Sequence, residues 1–120
     1  MIDCAKKGVM FECKLTPKTT LPFIGIDKTI ASIIDIMNFK VIDSKLRVFN
    51  VEVANFSIEQ LNDFLVGQFP SFKIKFNEDK NFQSVADTWP TSLNCENAKK
   101  SWNFSSNISL EEFLNSIIGK

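Results

Sequence analysis

The sequence predicts an α/β fold: β-rich runs alternate along it with segments whose apolar residues recur at helical spacing, and turn or capping signals separate them. The order strand, helix, strand, helix, strand is that of a sheet flanked by helices. Three short strands with three or four helices make a small sheet, which covers its faces only as part of a larger fold. Residues 1–120 are therefore read as a single partial domain.

Ile2, Ala5 and the lysines before Gly8 read as the end of a helix. Val9 to Leu15 is a first strand, ended by the turn chemistry of Thr16-Pro17-Lys18-Thr19-Thr20. The apolar run Phe23 to Ile26 leads to Asp27, a candidate N-cap for a helix that ends near Asn38. Behind it Ile30, Ile33, Ile34 and Met37 share one face, expected to point inward. Arg47 to Val53 alternates with period two and is rich in β-branched and aromatic residues, which predicts a second strand.

Ser57-Ile58-Glu59-Gln60 is a capping box, and Ile58, Leu61, Phe64 and Leu65 supply the apolar stripe of the helix it opens, broken by Gly67 and Pro70. Phe72-Lys73-Ile74-Lys75-Phe76 alternates strictly and predicts a third strand, apolar on one face and lysine-lined on the other. Asn94 is a candidate cap for a short helix through Ala98 to Ser101. Ser109-Leu110-Glu111-Glu112 is a second capping box, and Leu110, Phe113, Leu114, Ile117 and Ile118 are expected to face inward from the helix behind it.

Composition removes several function classes. Lys plus Arg and Asp plus Glu both number 14, so there is no basic field to hold nucleic acid or an anionic membrane. No stretch approaches the roughly 20 apolar residues of a membrane span. The first residues lack the apolar core and cleavage site of a secretory signal, so an intracellular setting is expected: cytoplasmic, or mitochondrial where a targeting segment stands upstream. On that footing the sequons at Asn55, Asn103 and Asn107 are incidental. Cys4, Cys13 and Cys95 show no Cys-x-x-Cys spacing and the chain has no histidine, which points to free thiols and to no metal site.

Zero histidines also exclude a Ser-His or Cys-His nucleophile. The four glycines, Gly8, Gly25, Gly67 and Gly119, are too far apart to form a dinucleotide or P-loop fingerprint. Asp79 and Asp87 are a candidate acidic pair, set against the commoner reading of solvated surface carboxylates.

Ala86-Asp87-Thr88-Trp89-Pro90 resembles the Ala-Asp-Ser-Trp-Pro motif of short-chain-type L-threonine 3-dehydrogenases, and Ala98-Lys99-Lys100-Ser101-Trp102 resembles their Ala-Arg-Arg-Asp-Trp. Upstream, Phe11-Glu12-Cys13, Leu21-Pro22, the helix to Met37, Arg47-Val48-Phe49-Asn50-Val51 and Phe56-Ser57-Ile58-Glu59-Gln60-Leu61 follow the same family pattern in order. The resemblance covers roughly residues 9 to 118, the C-terminal part of the extended short-chain dehydrogenase fold without its N-terminal nucleotide-binding part.

That resemblance implies a parent enzyme that passes a hydride from the β-carbon of L-threonine to NAD, with NAD and the catalytic residues on a missing N-terminal Rossmann domain. It implies that Trp89 binds substrate, lining the threonine pocket; without it, an indole fixing a loop to the core is the commoner reading. Trp102, on a short helix beside lysines, reads as packing. The family takes the substrate proton with a tyrosine, and this chain has none, so it is expected to contribute no catalytic residue and to bind no cofactor alone.

The sequence departs from the family at Gly25, where a tyrosine is typical, at Lys28 in place of an aspartate, and at Asn94 and Cys95 in place of an acidic pair. Two rivals stand beside this reading: a non-enzymatic interaction module left by truncation and prone to self-association, and the C-terminal part of a sugar-nucleotide epimerase.

The isolated chain is expected neither to bind NAD nor to oxidise threonine, since it lacks both the glycine fingerprint and a tyrosine. Isothermal titration with NAD checks this, and saturable binding at micromolar concentration would return the cofactor to this chain.

Overall fold

The computed structural model describes residues 1–40, 48–105 and 108–119. Along them run α1 (Ile2–Lys6), β1 (Phe11–Cys13), β2 (Thr20–Phe23), α2 (Ile26–Asn38), β3 (Ala54–Ser57), α3 (Ile58–Gln68), β4 (Ile74–Phe76), α4 (Lys80–Ala86), α5 (Glu96–Trp102) and α6 (Leu110–Ile118). The fold is α/β, with two small sheets in place of one: β1 pairs with β4 and β2 with β3. The chain divides into two compact units, one of residues 1–21 and 56–91, the other of residues 22–55 and 92–120.

In the first unit β1 and β4 run parallel, with Phe11 opposite Ile74 and Cys13 opposite Phe76. The ladder runs on beyond the strands, since the Asn77 amide donates to the Cys13 carbonyl and the Asp79 amide to that of Lys14. The expected capping box opens α3: the Ser57 hydroxyl accepts from the Gln60 amide and the Gln60 side chain accepts from the Ser57 amide. Ile58, Leu61 and Leu65 are buried from that helix, and Phe72, Cys13 and Ala5 join them in the core. Gly67 does not break α3, which continues to Gln68. The third strand forms with less cover than its alternation suggested: Phe72 is buried, yet Phe76, the last residue of β4, is exposed.

In the second unit Ser109 and Glu112 complete the other expected capping box, and α6 buries Phe113 and Leu114. The Asn94 carboxamide accepts from the Glu96 amide at the start of α5, as its sequence position suggested, although Cys95 takes the N-cap position itself. Trp102 packs edge-on against Phe49, with ring centroids 4.8 Å apart, and against Phe39 at 6.3 Å.

The strand expected over Arg47 to Val53 is not one. Arg47 lies outside the described residues, and the segment from Val48 to Val53 is irregular. Its polar groups are taken by the 92–95 segment instead: the Glu52 amide donates to Cys95 Sγ, the Leu93 amide donates to the Glu52 carboxylate at 2.8 Å, and the Asn50 carboxamide reaches the Asn94 carbonyl. Pairing with β2 begins only at the segment's end, where the Val53 amide donates to the Phe23 carbonyl.

The helix ending near Asn38 is present, but its N-cap is Gly25, with Asp27 inside the first turn, where its charge suits the positive end of the helix. Its apolar stripe faces outward. Ile26, Ile30, Ile33, Ile34 and Met37 are all at least half exposed, and Ser32 is the buried residue of α2. Periodicity defines an apolar stripe without saying what covers it, and among the described residues little does.

Five large apolar side chains in one stripe predict that the isolated chain self-associates. In size-exclusion chromatography the species larger than a monomer should give way to a monomer on Ile30→Asp/Ile34→Asp, with helical circular dichroism kept. A monomeric parent chain with a sharp melt would show the stripe to be tolerated in water.

Candidate functional site

Trp89 stands in the first unit, three residues beyond the end of α4. Asp79 begins that helix by accepting from the Asn81 and Phe82 amides, and its carboxylate lies 3.9 Å from the Lys14 ammonium. At the other end the Thr88 hydroxyl donates to the Val85 carbonyl and the Trp89 amide to that of Ala86, which winds the chain tightly up to Pro90. Trp89 is 57% exposed.

Beside it is a hollow of about 450 Å³. Leu15 and Leu21 contribute to it from either side of the turn between β1 and β2; Phe82, Val85, Ala86 and Trp89 contribute from α4 and its exit, and Asn81 supplies the single amide side chain. Phe82 and Val85 are more than half exposed, and the Lys14 ammonium sits 5.5 Å from the Phe82 ring centroid. Such a surface suits a methyl or other apolar group and, apart from Asn81, offers no side-chain hydrogen-bonding group to a carboxylate.

The candidate acidic pair does not converge. Asp79 caps the start of α4 and Asp87 its end, roughly 12 Å along a helix of this rise, and Asp87 is engaged by the Gln83 side chain at 2.7 Å. Among the described residues no cluster of three His, Cys, Asp or Glu could hold a metal ion, and the three cysteines are free thiols. No helix of the described residues is long and apolar enough to cross a membrane.

A second hollow, about 620 Å³, lies in the second unit between the start of α2 and α6. Gly25 and Lys28 line it together with Asp27, Ile24, Phe113 and Ile117. A Cβ on Gly25 would meet the Phe113 ring at 3.7 Å, an ordinary contact, so a larger residue at this position has room to start. The other two unusual positions have structural work: the Asn94 carboxamide accepts from the Glu96 amide at the start of α5, and Cys95 is buried and accepts the Glu52 amide. Sequence reasoning missed Phe82, Val85, Leu15 and Leu21 as partners of Trp89; Asp79 followed by Phe82, Val85 and Ala86 was the available helix signal.

The fold is part of the threonine dehydrogenase type of α/β fold. A GalE-like L-threonine dehydrogenase from Cupriavidus necator superposes with a TM-score of 0.88 and 22% identity, over 99% of this chain and 39% of that one. The mitochondrial L-threonine 3-dehydrogenase of Sus scrofa is 29% identical over 116 residues, 97% of this chain and 31% of the relative. An uncharacterized epimerase/dehydratase of Staphylococcus aureus is 26% identical over 89 residues, 72% of this chain. No protein-family model matches the chain. The chain is thus homologous to the C-terminal part of L-threonine 3-dehydrogenases, and it spans about a third, 31%, of the length of those curated relatives.

Proposed function

We propose that this chain is the substrate-side part of an L-threonine 3-dehydrogenase, with Trp89 lining the threonine pocket. The observation that carries the reading is an exposed indole on an almost wholly apolar hollow, at the position where the Trp-Pro motif of that family falls. The hollow fits the methyl end of threonine. Its ammonium and carboxylate then need polar groups from elsewhere, which is what a partial site would show.

The chain's own residues do not fit NAD: Gly25 stands between a strand and a helix, but no second glycine lies near it to admit a pyrophosphate. In this reading NAD and the tyrosine-lysine pair that moves the proton belong to a Rossmann domain on which this chain docks, in the cytoplasm or a mitochondrion. The work of this chain is to exclude water and to fix the substrate: a flat, rigid indole does both by removing the methyl group from solvent and limiting its rotation. The exposed stripe of α2 gives that docking an apolar surface.

A second reading keeps the same stripe but gives the chain no catalytic partner: an interaction module whose binding uses α2 and leaves the Trp89 hollow idle. Kinetics separate the two. With the chain joined to a Rossmann half that carries the tyrosine and lysine, Trp89→Ala should cost on the order of 2 to 4 kcal/mol in kcat/KM for threonine while NAD affinity holds. Trp102→Ala, which removes a ring from the Phe39–Phe49 cluster, should lower the melting temperature by the equivalent of roughly 3 kcal/mol and spare activity per folded molecule. If Trp89→Ala behaves like Trp102→Ala, Trp89 is structural.

A further inference from the structure

We infer that Gln83 is the positioning residue of the Trp89 hollow: its side-chain amide fastens α4 to the turn between β1 and β2 and thereby sets the gap between the indole and Leu15 and Leu21. The inference rests on the reading of that hollow as the ligand-facing wall.

Every polar atom of this amide is used. Gln83 Oε1 accepts from the Thr16 amide at 2.9 Å and from the Thr19 hydroxyl at 3.2 Å. Gln83 Nε2 donates to Asp87 Oδ1 at 2.7 Å and also lies 3.0 Å from Thr19 Oγ1, while the two threonine hydroxyls are 2.9 Å apart. Thr19 is buried, so water does not readily replace these bonds.

The placement of the partners gives the bonds their consequence. Leu15 precedes Thr16 and Leu21 follows Thr19 by two residues; Phe82 precedes Gln83, and Asp87 precedes Trp89 by two. One amide therefore holds both walls of the hollow. The start of α4 is fixed independently, by the Asp79 amide on the Lys14 carbonyl. Without Gln83 the helix is free to pivot about that anchor, and the end that moves furthest carries the indole.

The test reads Trp89 directly, in the full chain with Trp102→Phe, which leaves Trp89 as the only tryptophan. Gln83→Met keeps the length and removes the bonds. It should shift Trp89 emission to the red and raise acrylamide quenching roughly twofold, with circular dichroism retained. Thr19→Val, which keeps volume and removes only a hydroxyl, should move both readings the same way by less, and it carries the test should Gln83→Met fail to fold.

Gln83→Glu adds a signature that packing alone cannot give. Its carboxylate still accepts from the Thr16 amide and the Thr19 hydroxyl and loses only the bond to Asp87 within α4, so emission and quenching should stay near those of the parent while Gln83→Met moves them. Emission unmoved in Gln83→Met and Thr19→Val, whatever their melting temperatures, or moved equally by Gln83→Glu and Gln83→Met, overturns the inference. None of these readings uses threonine or a dehydrogenase partner, so the substrate reading stands or falls separately.

Discussion

The turn over residues 16–19 is the constraint from which the first unit is built. Its carbonyls are claimed from one side, Pro17 by the Glu59 amide and Thr19 by the Ile58 amide, which satisfies the first donors of α3. Its Thr16 amide and Thr19 hydroxyl are claimed from the other side by Gln83 of α4. A partly buried turn cannot leave those groups unpaired, so its geometry fixes where two helices start and lie. The parallel β1–β4 ladder, continued to Asp79, then delivers α4 to the same place.

The second unit solves the same problem with different chemistry. Its irregular 48–53 segment is held by Glu52, whose amide donates to a thiol and whose carboxylate accepts from the Leu93 and Asn55 nitrogens. Phe39, Phe49 and Trp102 stack edge to face in that unit. The indole nitrogen of Trp102 is buried without a hydrogen-bond partner, which marks this ring as apolar packing, while Trp89 is exposed.

Signals carried by neighbouring residues were legible in the sequence. Both capping boxes, the end of α2 and the first and third strands rest on chemistry within four or five residues, and they form where expected. What was not legible depended on distant partners. Arg47 to Val53 has the composition of a strand, but its Glu52 bonds Cys95 and Leu93, more than forty residues on. The short helix α4 owes its fixation to threonines 64 and 67 residues away. For the site, a local motif singled out Trp89, whereas Leu15 and Leu21 join it only through the fold. Likewise the stripe of α2 was visible as a pattern, while its outward orientation follows from what the other described residues do not supply.

That outward stripe places the chain's stability under mass action. A surface that covered Ile30, Ile33 and Ile34 in the folded form alone would, at a hundred times its dissociation constant, add about 2.7 kcal/mol to the unfolding free energy. Under such cover the melting temperature would become a function of protein concentration and of company, and the uncovered fraction would be the one that chaperones and proteases see.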